Sequence, residues 1–218
     1  MTSGTPDPVV VLLTLGLLAL APFMAIMVTS FAKLVIVLAL VRNALGLQQI
    51  PPNLVLNGLA LVLSMYIMAP LGLQIMNGAE QRLAGGGLNS KALFEIIKDT
   101  RDPLQQFLSK HAQPREREFF VKSAEKLWPE EQAKALKNDD LMVLVPAFTV
   151  SELTAAFKIG FIVYLAFVIV DLVVANVLVA LGMMMFSPTV VSVPLKLLLF
   201  VLLDGWAKLI HGLILTYR

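Results

Sequence analysis

Four long apolar stretches, at residues 9–41, 53–76, 157–186 and 189–217, constrain this chain more than any other feature. Each reaches the roughly 20 residues that a helix needs to cross the hydrocarbon core of a bilayer. At that depth the backbone has no water to pair with, so its polar groups must be satisfied inside helices. The charges sort accordingly. Of the 15 acidic residues, only Asp7, Glu152, Asp171 and Asp204 lie outside the window 78–140; of the 17 basic residues, only Lys33, Arg42, Lys158, Lys196, Lys208 and Arg218 do. With 58% hydrophobic and 15% charged residues and a mean hydropathy of +0.82, the chain reads as an all-α, membrane-derived protein. Three parts are expected: an apolar hairpin over 1–77, a polar helical domain outside the bilayer over 78–140, and a second apolar hairpin over 141–218.

Proline placement predicts that the hairpins are built from broken helices. Pro22 and Pro70 fall inside the first two stretches, and Pro51-Pro52 separates them with a rigid turn. Val9 to Leu20 also has the length of a signal-peptide apolar region, with Ala19 and Ala21 in an A-x-A pattern. The preceding MTSGTPDP carries Asp7 and no basic residue, so a retained segment is expected. Within the polar window Asp102-Pro103 predicts a helix start before Leu104, Phe107 and Leu108, and Pro129 predicts another. Gly85 to Gly87 reads as a linker. Lys33 and Arg42 lie near the short first connection, so the positive-inside rule favours a cytoplasmic connection and sends the polar domain across the membrane.

Three further features depart from an ordinary spanning helix. Thr149-Val150-Ser151-Glu152 has the capping-box form with Phe148 and Leu153 at staple positions, predicting a helix start near Val150. Running to Met183, that helix would measure about 50 Å against a hydrocarbon core of about 30 Å. Asp171 stands in the middle of FIVYLAFVIVDLVVANVLVALG, where an ionised carboxylate is costly unless paired or wetted. Its neighbours one turn away are Phe167, Val168, Val174 and Ala175, so its partner must come from another helix or another subunit, with Lys33, Lys158 and Lys196 as the available cations. A protonated or snorkelling acid on a helix outside lipid is the competing reading. In the last stretch Lys196, Asp204, Lys208 and His211 fall on one side of a continuous helix, a polar stripe that includes the favourable acid-first pair Asp204 and Lys208.

GMMMFSP, residues 182–188, places Met183, Met184 and Met185 where an apolar run meets a proline. Successive helical side chains point about 100° apart, so these three do not form a core stripe and read as a loop. The chemistry of enzymes is missing from the pattern: there is no phosphate-binding loop, H-E-x-x-H or G-x-S-x-G motif, and no catalytic residue or cofactor is predicted. His111 and His211 are far apart, and there is no cysteine, so no metal centre is expected. A secondary transporter would also use broken helices and an intramembrane acid.

Three stretches carry a resemblance to a known family. TSFAKLVIVLALVRNALGLQQIPPNLVLNGLAL at 29–61, PAFTVSELTAAFKIGF at 146–161 and SPTVVSVPLKLLLFVLLDGW at 187–206 resemble the signature segments of the type III secretion export-apparatus family called FliP in flagella and SctR or YscR in injectisomes. The segment from Gln48 to Asn53 and the lack of a basic signal peptide look more like the injectisome branch. The resemblance implies a pore-forming helical homo-oligomer, a pentamer, joined by SctS-like and SctT-like subunits, with an SctU-like switch protein and needle or inner-rod proteins nearby and unfolded secreted proteins as cargo. Nucleic acid is not among these partners. It implies a place in the bacterial inner membrane, projecting into the periplasm within the secretion-system base. It also implies that Met183, Met184 and Met185 form a gasket closing the pore, and it makes Lys33, Arg42, Glu152, Lys158, Asp171, Lys196, Asp204 and Lys208 candidate subunit contacts.

Overall fold

The computed structural model describes residues 8–83 and 90–218, so the glycines at 85–87 and the first seven residues lie outside it. All regular elements among the described residues are helices: α1 Pro8–Val28, α2 Phe31–Ala44, α3 Asn53–Leu83, α4 Ser90–His111, α5 Pro114–Leu127, α6 Glu130–Ala135, α7 Leu141–Ala180, α8 Pro188–Leu202 and α9 Gly205–Leu215. Among the described residues Asn53–Gly78 and Leu141–Ala180 are long and apolar enough to cross a bilayer, and α8 with α9 makes a third such segment if that bent pair counts as one.

The helix boundaries correct several expectations. Pro22, Pro70 and Pro103 sit inside α1, α3 and α4, which continue through them. A proline removes one backbone bond, and the turns on either side keep the remaining ones. The first apolar stretch divides instead at Thr29-Ser30. α7 begins at Leu141, not near Val150, and has 40 residues. Its start is set at Asp140, whose carbonyl accepts from the amides of Val143 and Leu144 at 2.9 and 2.8 Å. The Thr149 hydroxyl, expected to cap, donates to the carbonyl of Val145 at 2.8 Å, the backward bond of a mid-helix threonine. The last stretch is two helices bent by 62°. Asp204 adopts φ 52° ahead of Gly205. Asp-Gly is turn chemistry, because a short polar side chain tolerates the left-handed region and glycine ignores it.

The chain forms two compact units, each from two separated segments. The first gathers Met1–Ser30 and Met68–Ser151. Its core is Leu108 and Ala112 of α4 with Leu144, Ala147 and Phe148 of α7, joined by Leu104, Phe107 and Phe120. Leu104, Leu108 and Ala112 recur at the four-residue spacing that turns one helix face inward. Ser151 ties the α4–α5 connection down: its hydroxyl donates to the Ala147 carbonyl at 2.6 Å and accepts from the Gln113 amide at 2.9 Å.

The second unit gathers Phe31–Ile67 and Glu152–Arg218. Its core is a stripe on α2, Leu34, Val37, Leu38 and Val41, continued by Leu45 just past its end, against Leu56 and Ala60 of α3, Ala156 of α7, Phe200 of α8 and Leu213 of α9. A fully buried leucine or valine stabilises by about 1.5–3 kcal/mol, so this stripe is the main anchor of the unit. α2 and α7 approach closely because Gly160 has no side chain: a Cβ there would lie 2.3 Å from Leu40 Cδ1. Arg42 closes the α2–α3 connection by donating to the Pro51 carbonyl at 3.1 Å and to Asn53 Oδ1 at 2.7 Å.

Candidate functional site

α7 ends in a Schellman motif. Gly182 has φ +75°, its amide donates to the Val179 carbonyl at 3.0 Å, and the Met183 amide donates to the Leu178 carbonyl at 2.9 Å. Chain reversal follows within a few residues, since Pro188 opens α8 at its first turn. The segment between holds the three consecutive methionines outside both helices, as the sequence predicts. Their exposures are 41%, 78% and 103% for Met183, Met184 and Met185, so the loop half covers the first thioether chain and presents the other two to its surroundings.

Behind the loop stands an ion pair between the two helices that carry it. Lys196 Nζ of α8 is 2.5 Å from Asp171 Oδ2 of α7. Of the three cations available to Asp171, Lys196 is therefore the partner. Lys196 is buried and also donates to the Ala44 carbonyl at 3.2 Å, placing its charge at the C-terminus of α2, where a cation is favoured. The Asp171 side chain keeps 41% of its surface and borders a cleft of about 690 Å³ with Asn43, Gln48, Tyr164 and Ser192.

A second charged cluster lies in the same unit, with both of its charges buried. Lys33 and Glu152 are 3.2 Å apart and 3% and 4% exposed. Buried charges persist only when paired and hydrogen-bonded, and here the third member completes the set. The Tyr217 hydroxyl donates to Glu152 Oε2, while Lys33 Nζ sits 3.6 Å from the centre of the Tyr217 ring. Glu152 thus serves this cluster and not the reciprocal cap at Thr149. Tyr217 carries no sequence signal, because it lies 65 residues from Glu152.

The remaining predicted residues separate. Arg42 is buried at the α2–α3 connection. Lys158, Asp204, Lys208 and His211 are exposed, and the bend at Asp204 divides the stripe expected along one helix. Among the described residues no group of three His, Asp or Glu is placed to hold a metal.

The sequence as a whole decides the family, because a FliP family profile matches residues 13–213. The chain belongs to the FliP family. This FliP-family chain is 54% identical over 202 residues to the hypersensitivity response secretion protein HrcR of Ralstonia nicotianae, covering 92% of this chain and 93% of that protein. It is 48% identical over 215 residues to the Yop proteins translocation protein R of Yersinia pestis, covering 97% of each. It is 42% identical over 219 residues to the virulence protein YscR of Salmonella typhimurium, covering 97% and 98%. These relatives agree with the injectisome side of the resemblance read from the three signature stretches, and the FliP match spans all three.

Proposed function

We propose that this chain is a core subunit of a type III secretion export gate, and that its methionine loop seals the pore through which unfolded proteins are secreted. The reading rests on Met183, Met184 and Met185 standing outside the helices on a loop where the last two are left exposed by the chain. Thioether chains are unbranched and polarizable, so a ring of them contributed by several copies packs closed and still yields around a passing polypeptide. Copies assemble as a pentamer with SctS-like and SctT-like subunits beside an SctU-like protein. The assembly sits in the bacterial inner membrane with residues 78–140 on the periplasmic side. The relatives' names, which speak of secretion and translocation, support the function.

Replacing all three methionines with alanine is expected to leave the assembly intact and raise ion leakage across the membrane of cells expressing it. Unchanged tightness in an assembled variant would refute the seal. The mass of the detergent-extracted chain, alone and with its presumed partners, checks the assembly: a stable monomer indifferent to them removes the export-gate reading.

A further inference from the structure

We propose that copies of this chain meet head to tail, the α8–α9 elbow of one copy, which carries Asp204, seating on the α7 face of the next, which carries Lys158. The contact rests on the homo-oligomer of the reading above and names the two surfaces that make it. Charges left over within the chain point to it. In the second unit Lys33 holds Glu152 and Lys196 holds Asp171. Asp204 and Lys158 are exposed instead, and among the described residues neither makes an ion pair. The Asp204 carboxylate does not serve its own helix either. It stands at the N-cap of α9, yet makes no capping bond, and Lys208 one turn on does not pair with it.

Both charges stand in apolar surroundings that the single chain leaves open. Lys158 follows Phe157, which with Phe161 and Leu165 recurs every four residues as an exposed ridge on α7. Leu202 and Leu203 precede Asp204 and are exposed at the elbow. Lipid tails cover such patches but supply no counter-charge, and a charge on an apolar surface is costly unless paired or wetted. Each patch offers the other the charge it lacks. The two also lie level with one another. A cleft bounded by Ile162 on one side and by Leu203 and Gly205 on the other puts the elbow at that height on α7, and Lys158 is one turn, about 6 Å, from Ile162. Level but unpaired within one chain, the two charges suit copies rotated about an axis along α7. Contacts between unlike patches generate a ring when that rotation closes.

The experiment uses the full chain in membranes together with its presumed partners. The chain has no cysteine, so Lys158→Cys and Asp204→Cys introduce its only thiols. Mild oxidation of the double variant is expected to link copies into a ladder of dimers and higher species on a denaturing gel, while each single variant runs as a monomer. A double variant that extracts at the mass of the wild-type assembly but gives no ladder overturns the contact and leaves the export gate standing, with lipid or another subunit on the two patches. A disulfide closed within one chain overturns it as well. A wild-type chain that extracts as a monomer with the partners present overturns both readings. Charge is tested separately. Asparagine shares the tolerance of aspartate for left-handed backbone, so Asp204→Asn keeps the elbow. Asp204→Asn and Lys158→Met should each lower the assembled fraction several-fold by stranding the opposite charge, and the double variant should lose less than the product of the two. Losses that simply multiply, or no loss at all, overturn the pairing.

Discussion

Lys196 and Asp171 share one contact but not one environment, and that asymmetry is measurable. The lysine is buried whereas the carboxylate is partly wet. Asp171→Ala leaves an ammonium without its counter-ion in a dry site and is expected to destabilise by about 3 kcal/mol, toward the usual range for breaking a buried pair. Lys196→Met leaves a carboxylate that water reaches and should cost less, about 1–2 kcal/mol. Thermal unfolding of the two variants and the double variant checks the order, and the double variant should lose less than the sum of the singles. Tyr217→Phe keeps the ring under Lys33 but removes the donor to Glu152. It should lower stability by about 1–2 kcal/mol, read as a drop in the unfolding midpoint. The sequence shows that Asp171 needs a partner, because its own helix offers none. It does not show Tyr217, because contacts between residues distant in the chain leave no local spacing.

Where helices start and stop was only partly legible. The loop character of the three methionines follows from helical geometry, and Pro51-Pro52 and Pro129 mark real boundaries. Pro22, Pro70 and Pro103 mislead because a proline ends a helix only when the flanking residues gain from ending it. Asp204-Gly205 was the signal for the bend in the last stretch, outweighed by the apolar residues on both sides. Two Schellman glycines shape the second unit, and they separate strain from crowding. A Cβ at Gly182 meets nothing within 4 Å, so Gly182→Ala carries only left-handed strain, about 1–2 kcal/mol. At Gly46, φ +80°, the added carbon would also lie 2.7 Å from Val193 Cγ2. Gly46→Ala should therefore lower the unfolding midpoint more than Gly182→Ala, which should act chiefly on the methionine loop.

At the scale of the molecule, composition and the apolar stretches were enough to read an all-helical chain with segments long and apolar enough to cross a bilayer, and the three signature stretches were enough to read its family. The two units were not legible, because each is assembled from segments far apart in the sequence. That interleaving has a consequence for how the protein is made. Lys33 leaves the ribosome 119 residues before Glu152, and Tyr217 follows 65 residues later still. At about 5–20 residues per second, the cation waits on the order of ten seconds for its counter-charge. During that interval the Lys33 ammonium has no Glu152 to pair with, and the second unit lacks the part of its core that Ala156, Phe200 and Leu213 supply. Whatever receives the nascent chain must shelter that charge until translation delivers the other half.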